Sequence, residues 1–120
     1  MQYTLCRAKL SRATITALNP SYEGSIAIDE ELLEAAGILP YEKILVGNIT
    51  SGKRFETYVI SAPRGSKTVS LQGGTAHHGM VGDRIIGMVF AIMSPEEARG
   101  HKPRVVKLDE TNAIVGIGSV

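Results

Sequence analysis

Tryptophan is missing from this 120-residue sequence, cysteine occurs once, and aromatic residues make up only 5% of it. A lone cysteine excludes an internal disulfide, so the apolar core has to hold the fold. Cys6 itself reads as a small hydrophobe of the first strand. No run approaches the ~18 apolar residues that a membrane-crossing helix needs. Residues 1–7 lack the basic stretch, apolar segment and small-residue cleavage site of a secretory signal, so a cytoplasmic protein is expected. An excess of one charge is lacking too: the net charge is +1, with both signs scattered through both halves. That leaves no electrostatic footprint for nucleic acid or an anionic membrane, and neither is expected as a partner. Repeats, low-complexity tracts and linkers are also absent, which leaves a single domain over residues 1–120.

What is present is the balance of a chain with a packed core, 43% hydrophobic and 21% charged. Short runs rich in β-branched residues predict strands over 3–10, 12–18, 25–28, 43–49, 54–62, 67–71, 84–93, 104–108 and 113–118, with glycine, proline and serine between them. Two short helices interrupt the pattern. Asp29 caps one over residues 30–36, with Leu32, Leu33 and Ala36 on one face and Gly37 as its stop. Ser94-Pro95-Glu96-Glu97 carries the capping-box pattern of the other. A mainly β domain with short helices is expected, and closure into a small barrel would remove exposed strand edges.

Few constellations carry chemistry. His77, His78 and His101 have no Cys, Asp or Glu beside them to complete a ligand set, so no metal is expected. Gln72-Gly73-Gly74-Thr75 matches no phosphate-binding fingerprint and reads as a tight turn whose bare backbone can approach a ligand. Asp29, Glu30, Glu31 and Glu34 begin a helix, where the dipole favours negative charge. Tyr22-Glu23-Gly24-Ser25 differs, because a serine after a glycine at a strand entrance can attack the backbone. The hydroxyl of Ser25 would add to the Gly24 carbonyl, which glycine's freedom brings within reach, and the peptide would become an ester. Elimination would free the chain ending at Gly24 and leave dehydroalanine, which water converts to a pyruvoyl group and ammonia. Taken by itself, Gly24-Ser25 is an ordinary turn dipeptide.

A longer set of motifs decides the matter. Ala8-Lys9-Leu10, Arg12-Ala13-Thr14-Ile15-Thr16, Tyr22-Glu23-Gly24-Ser25-Ile26-Ala27-Ile28-Asp29, Ala35-Ala36-Gly37-Ile38, residues 52–60, Arg64-Gly65-Ser66 and Val81-Gly82-Asp83 follow in an order that resembles the bacterial aspartate decarboxylases over nearly the whole chain. The resemblance implies a six-stranded double-psi β-barrel and a homotetramer with its sites between subunits. It also implies self-cleavage into a short chain, 1–24, and a long chain, 25–120, that begins with a covalent pyruvoyl group made from Ser25. No pyridoxal phosphate is implied. The implied reaction converts L-aspartate to β-alanine and carbon dioxide, supplying pantothenate biosynthesis. The substrate amine forms a Schiff base with the keto carbonyl, and the adjoining amide carbonyl helps to accept the electrons released.

By the same resemblance Lys9 and Arg54 hold substrate carboxylate, Thr57 contacts the Gly24 carbonyl during cleavage, Tyr58 is the proton donor, and Tyr22 closes the pocket. Gln72, Gly73, Gly74 and Thr75 form the loop that approaches substrate, Thr57 also lining the site. Relatives usually read Asn-Gly-Ala-Ala-Ala there, whereas this chain reads Gln72-Gly73-Gly74-Thr75-Ala76. Ser11 stands where many relatives have histidine, and Gly47 where some carry a bulky residue. Because Thr57 and Tyr58 are neighbours in a strand, they should face opposite sides unless a bulge intervenes. A maturation factor, another small amino acid such as glutamate as substrate, and a non-enzymatic binding or assembly barrel remain as alternatives.

Overall fold

Side-chain branching near the backbone favours extended chain, and the runs of Ile and Val in this sequence form strands almost wherever they occur. The computed structural model describes residues 1–119. In chain order the elements are β1 (Tyr3–Thr14), β2 (Ala17–Asn19), β3 (Ser25–Asp29), α1 (Glu30–Ala36), β4 (Lys43–Asn48), β5 (Arg54–Ala62), β6 (Val69–Gln72), a 3-10 helix (Gly73–His78), β7 (Arg84–Met93), α2 (Pro95–Ala98), β8 (Arg104–Leu108) and β9 (Ile114–Ser119). No described helix is long and apolar enough to cross a membrane.

Both helix starts follow their sequence signals. Asp29 accepts from the Glu31 N–H at 2.8 Å, and Gly37 ends α1 in the left-handed region at φ 70°. Ser94 and Glu97 exchange side-chain-to-backbone bonds of 3.1 and 2.9 Å. The two strands expected over 3–10 and 12–18 are divided differently. β1 runs through to Thr14 across a register shift between Ser11 and Ala13, where Arg12 takes φ 61°. An added residue of that kind kinks the strand without ending it.

The mainly β character with short helices stands, but the strand count does not match the expected six. Nine strands form one sheet in the order β2-β6-β3-β5-β4-β7-β1-β8-β9, which is open at both edges. Its shape is nonetheless constrained by chain length. β1 and β2 lie six places apart in that order, which is about 29 Å in a flat sheet. Thr14 and Ala17 are three residues apart, a reach of only about 11 Å. The sheet must therefore curl until its β1 and β6 regions meet, and Thr16 marks the meeting: its N–H donates to Val69 O at 2.8 Å, and its Oγ1 accepts from Val69 N at 2.9 Å.

β3 lies inside this curl with all five residues buried, between β6 on one side and β5 on the other. Ile26, Ile28, Ile44, Val46, Val59, Val69, Leu71 and Val89 form the core around it, capped by Leu32 and Leu33 of α1. Two buried polar side chains pin the irregular segments. The Asp29 carboxylate accepts from Gly65 N and Lys67 N as well as Glu31 N. Asn112, 1% exposed, takes the Thr14 N–H at 2.7 Å and donates to Thr14 O at 2.9 Å and Lys67 O at 3.0 Å. This amide thus imitates a strand partner and ties β1 to the entrance of β6.

Removing it leaves a half-buried N–H and two carbonyls without this partner. Asn112→Ala and Asn112→Gly should each lower unfolding free energy by about 2–4 kcal/mol in urea titrations. The glycine variant isolates the lost bonds, because Asn112 sits at φ 62°. Unchanged stability of that variant would contradict the tie.

Candidate active site

Ser25 is the first residue of β3 and 3% exposed, while the four residues before it, 21–24, are all exposed. The Gly24–Ser25 peptide therefore sits where surface loop meets buried strand. In the antiparallel ladder with β6, Ser25 pairs with Gln72. In the parallel ladder with β5 the first pair is Ile26 with Val59, so one step back places Tyr58 beside Ser25. Paired residues point to the same face. Ser25 is thus flanked by Gln72 on one side and Tyr58 on the other, with their side chains on the face opposite the Ile26 core.

Glycine's part here differs from the one expected. Gly24 does not adopt positive φ, and a Cβ built on it meets nothing within 4 Å. The requirement falls on Gly73. Its φ is 61°, and a Cβ there would lie 2.2 Å from Tyr22 O, 2.6 Å from the Glu23 carbonyl carbon and 2.6 Å from Gly24 N. The turn after β6 is pressed against the backbone immediately upstream of Ser25, closer than any side chain permits. Gly74 meets no such contact, so alanine would fit there.

The 3-10 helix continues from this contact as a strap. Thr75 Oγ1 lies 2.9 Å from Ser25 O and 2.7 Å from Gln72 O. Gln72 Oε1 is buried without a partner among the described residues. At the far end, Asn48 Nδ2 donates to His78 O at 3.3 Å and to Asp83 Oδ2 at 2.9 Å, while Asn48 Oδ1 accepts from Thr50 N and Ser51 N. Asp83 also accepts from Met80 N, and these bonds, that from Asn48 foremost, hold its carboxyl below the usual carboxylate range. Phe55 stacks on His78 with ring centroids 5.1 Å apart. The strap is therefore fixed to the turn that precedes Arg54. In the sequence Asp83 stands out only within Val81-Gly82-Asp83, and Asn48 carries no signal because its contacts are remote along the chain.

β5 keeps unbroken register with β4, so no bulge separates Thr57 from Tyr58. Thr57, half-buried, faces the core side with Phe55 and Val59. Arg54, Glu56 and Tyr58 face outward, Tyr58 being 39% exposed. Lys9 shares this outer face. The ladders align Lys9, Met88, Leu45 and Glu56 in one row, and Ser11, Ile86, Gly47 and Arg54 in the next. The backbones of Lys9 and Arg54 are thus three strand spacings and one two-residue step apart, about 16 Å along the sheet, and Arg54 is four residues, about 13 Å, from Tyr58.

Ser25, Gly24, Gln72, Gly73, Thr75 and Tyr58 are therefore brought together within one chain, whereas Lys9 and Arg54 are not. Neither cation makes a side-chain hydrogen bond or ion pair among the described residues. Tyr22 is 63% exposed, although its backbone meets Gly73. The expected histidine positions are separate too: His78 is in the stack, and His101 Nε2 lies 2.7 Å from Cys6 O.

Gly73→Ala should drive its new Cβ into the backbone ahead of Ser25. A shift of about 1 Å in reacting geometry costs roughly 100-fold in rate, so cleavage after Gly24, followed by intact-mass measurement over time, should slow by about that factor. Cleavage at the parent rate would refute this role for the contact.

Comparison with known proteins agrees with this architecture of motifs. The aspartate decarboxylase family model matches residues 1–115. Aspartate 1-decarboxylase of Maricaulis maris is 51% identical over 115 residues, covering 96% of this chain and 95% of the relative. The enzyme of Carboxydothermus hydrogenoformans is 50% identical over 117 residues, 98% of this chain and 92% of its own. That of Caldicellulosiruptor saccharolyticus is 47% identical over 119 residues, 99% and 93%. Likeness of this extent runs through the strand that begins at Ser25, the strap and the outer face alike, and the chain belongs to the aspartate decarboxylase family.

Proposed function

We propose that this protein cleaves itself between Gly24 and Ser25, giving chains 1–24 and 25–120, and then converts L-aspartate to β-alanine and carbon dioxide. The observation that carries the proposal is the placement of Ser25, buried at a strand entrance, with the Glu23–Gly24 peptide just upstream pressed by Gly73. Addition of the Ser25 hydroxyl to the Gly24 carbonyl breaks the peptide C–N bond and forms an ester. Loss of the Ser25 α-proton expels the Gly24 carboxylate, and water replaces the nitrogen as ammonia.

The surroundings fit a pyruvoyl group at position 25. A carbonyl oxygen of that residue already meets the Thr75 hydroxyl, and the unpartnered Gln72 Oε1 is an acceptor on the same face. When formed, the group supplies an electrophilic carbonyl that takes the substrate amine and draws off the electron pair left by carbon dioxide. The chain's own residues do the rest. Tyr58, beside Ser25 in the ladder and on the outer face, delivers the proton through its hydroxyl in this reading. Arg54 offers a planar fork for the distal carboxylate and Lys9 a compact charge. Burial of Ser25 favours departure of a charged carboxylate as neutral gas.

Lys9 lies on β1, four strand spacings or about 19 Å along the sheet from Ser25 on β3, farther than a lysine side chain and one aspartate reach together. In this reading Lys9 comes from another copy, which supports a homotetramer with sites between subunits. The outer face suits such an assembly: Tyr58, Phe90 and Ile92 are 39, 42 and 68% exposed beside Leu45. The curl that brings Thr16 to Val69 supports the family's six-stranded double-psi barrel as the core, β1 and β2 counting as one interrupted strand and the β8–β9 hairpin lying at its edge. The reading places the protein in the cytoplasm.

Mass spectrometry of the denatured parent should give two pieces divided after residue 24, the longer one reactive with hydrazine. Ser25→Ala should remain one folded chain, and a Ser25→Ala chain that still divides there would eliminate the proposed nucleophile. A second measurement addresses the shared site. Lys9→Ala and Ser25→Ala, each inactive alone, should recover activity in co-expressed mixed oligomers, and mixtures as inactive as their parents would remove the shared site.

A further inference from the structure

The geometry points to Thr75 as a catalytic residue: its hydroxyl donates to the main-chain oxygen of residue 25 and takes up the charge that decarboxylation spreads onto that oxygen. The inference rests on the decarboxylase reading above and deepens it. The Thr75 hydroxyl is within hydrogen-bond distance of two acceptors, Gln72 O at 2.7 Å and Ser25 O at 2.9 Å. Thr75 is 7% exposed and Ser25 3%. A hydroxyl carries one hydrogen, so it serves one acceptor at a time. In the resting chain Gln72 O is the nearer.

The two oxygens have different fates. Gln72 O is an ordinary amide oxygen throughout. Ser25 O belongs to the amide carbonyl joined directly to the carbon that becomes the keto carbonyl, so electron density freed with carbon dioxide reaches it by conjugation. A donor facing growing negative charge bonds more strongly as the charge grows, and the Thr75 hydrogen is drawn from Gln72 to residue 25. An interaction stronger in the transition state than in the ground state is the kind that accelerates a step. Exclusion of water raises its effect.

The 3-10 geometry fixes the donor, because the Thr75 contact to Gln72 O spans three residues and holds the hydroxyl over the end of β6. By the resemblance above, relatives usually have alanine at this position, which carries no hydroxyl, and asparagine where this chain has Gln72.

The test uses the full-length protein with Thr75→Val, which keeps the shape and loses the hydroxyl, Thr75→Ala, which restores the family residue, and Thr75→Ser, which keeps the hydroxyl. Ser-Ile occurs once in the sequence, at Ser25-Ile26. Serine labelled with carbon-13 at its carbonyl, together with nitrogen-15 isoleucine, therefore gives one carbonyl–nitrogen correlation that reports the residue-25 carbonyl before and after cleavage. In Thr75→Val and Thr75→Ala this carbonyl resonance should move upfield, and kcat with aspartate, per hydrazine-reactive carbonyl, should fall roughly 10- to 100-fold at little change in KM. Thr75→Ser should return both towards the parent. An unmoved resonance, or an unchanged kcat in the cleaved Val and Ala variants, overturns the assignment. Arrest of cleavage in both, relieved by Thr75→Ser, would move the hydroxyl to self-cleavage and also overturn it. A parent chain that stays uncut removes the decarboxylase reading and this inference together; a cut, active parent with indifferent variants removes this inference alone.

Discussion

The backbone of Gly73 lies against the backbone of Tyr22, Glu23 and Gly24 with no room for a methyl group between them. The arrangement around Ser25 follows from this contact. It presses the loop onto the strand entrance, sets the start of the 3-10 helix, and thereby carries the Thr75 hydroxyl to the Ser25 carbonyl. The far end of the helix has its own anchor in Asn48 and Asp83, which also shape the turn leading into Arg54. One short segment thus connects the residue ahead of Ser25 to the strand that presents Tyr58 and Arg54.

Strand pleating then sorts the chemistry between two faces. Ile26, Val59 and Leu71 point into the core, and the positions between them, Ser25, Tyr58 and Gln72, point the other way. Lys9 and Arg54 share the outward side but are carried by strands two places removed from each other's neighbours. Apolar groups on that side, Phe90 and Ile92 among them, are left uncovered. The surface that a lone subunit would find costly to expose also carries Lys9 and Arg54, so the proposed assembly and the proposed substrate recognition share one face.

Much of this could be read before any coordinates. The caps at Asp29 and Ser94 depend on residues within a few positions, and local signals of that kind survive folding. The opposed directions of Thr57 and Tyr58 followed from the two-residue period of a strand. Other features were hidden because they depend on distant partners. Gly24 looked like the strained glycine since it adjoins Ser25, yet the strain is at Gly73, forty-eight residues beyond Ser25 in sequence and in contact only after β6 pairs with β3. Thr75 was placed in the loop but its side-chain partner was invisible, and Asn48 and Asn112 gave no signal because each fills a gap between segments far apart in the chain. The sheet order was likewise beyond reach, since strand spacing along the sequence does not say which edges meet.

β1 pairs with β7 at ten registered positions and with β8 at four, and its end is tied to Asn112. A chain severed after residue 24 therefore keeps its first strand locked inside the sheet, held by the same bonds as before. What changes is the return journey. Once such a molecule unravels, its pieces diffuse apart and must collide to rebuild the sheet, so recovery depends on concentration and durability becomes a matter of how slowly the assembly opens.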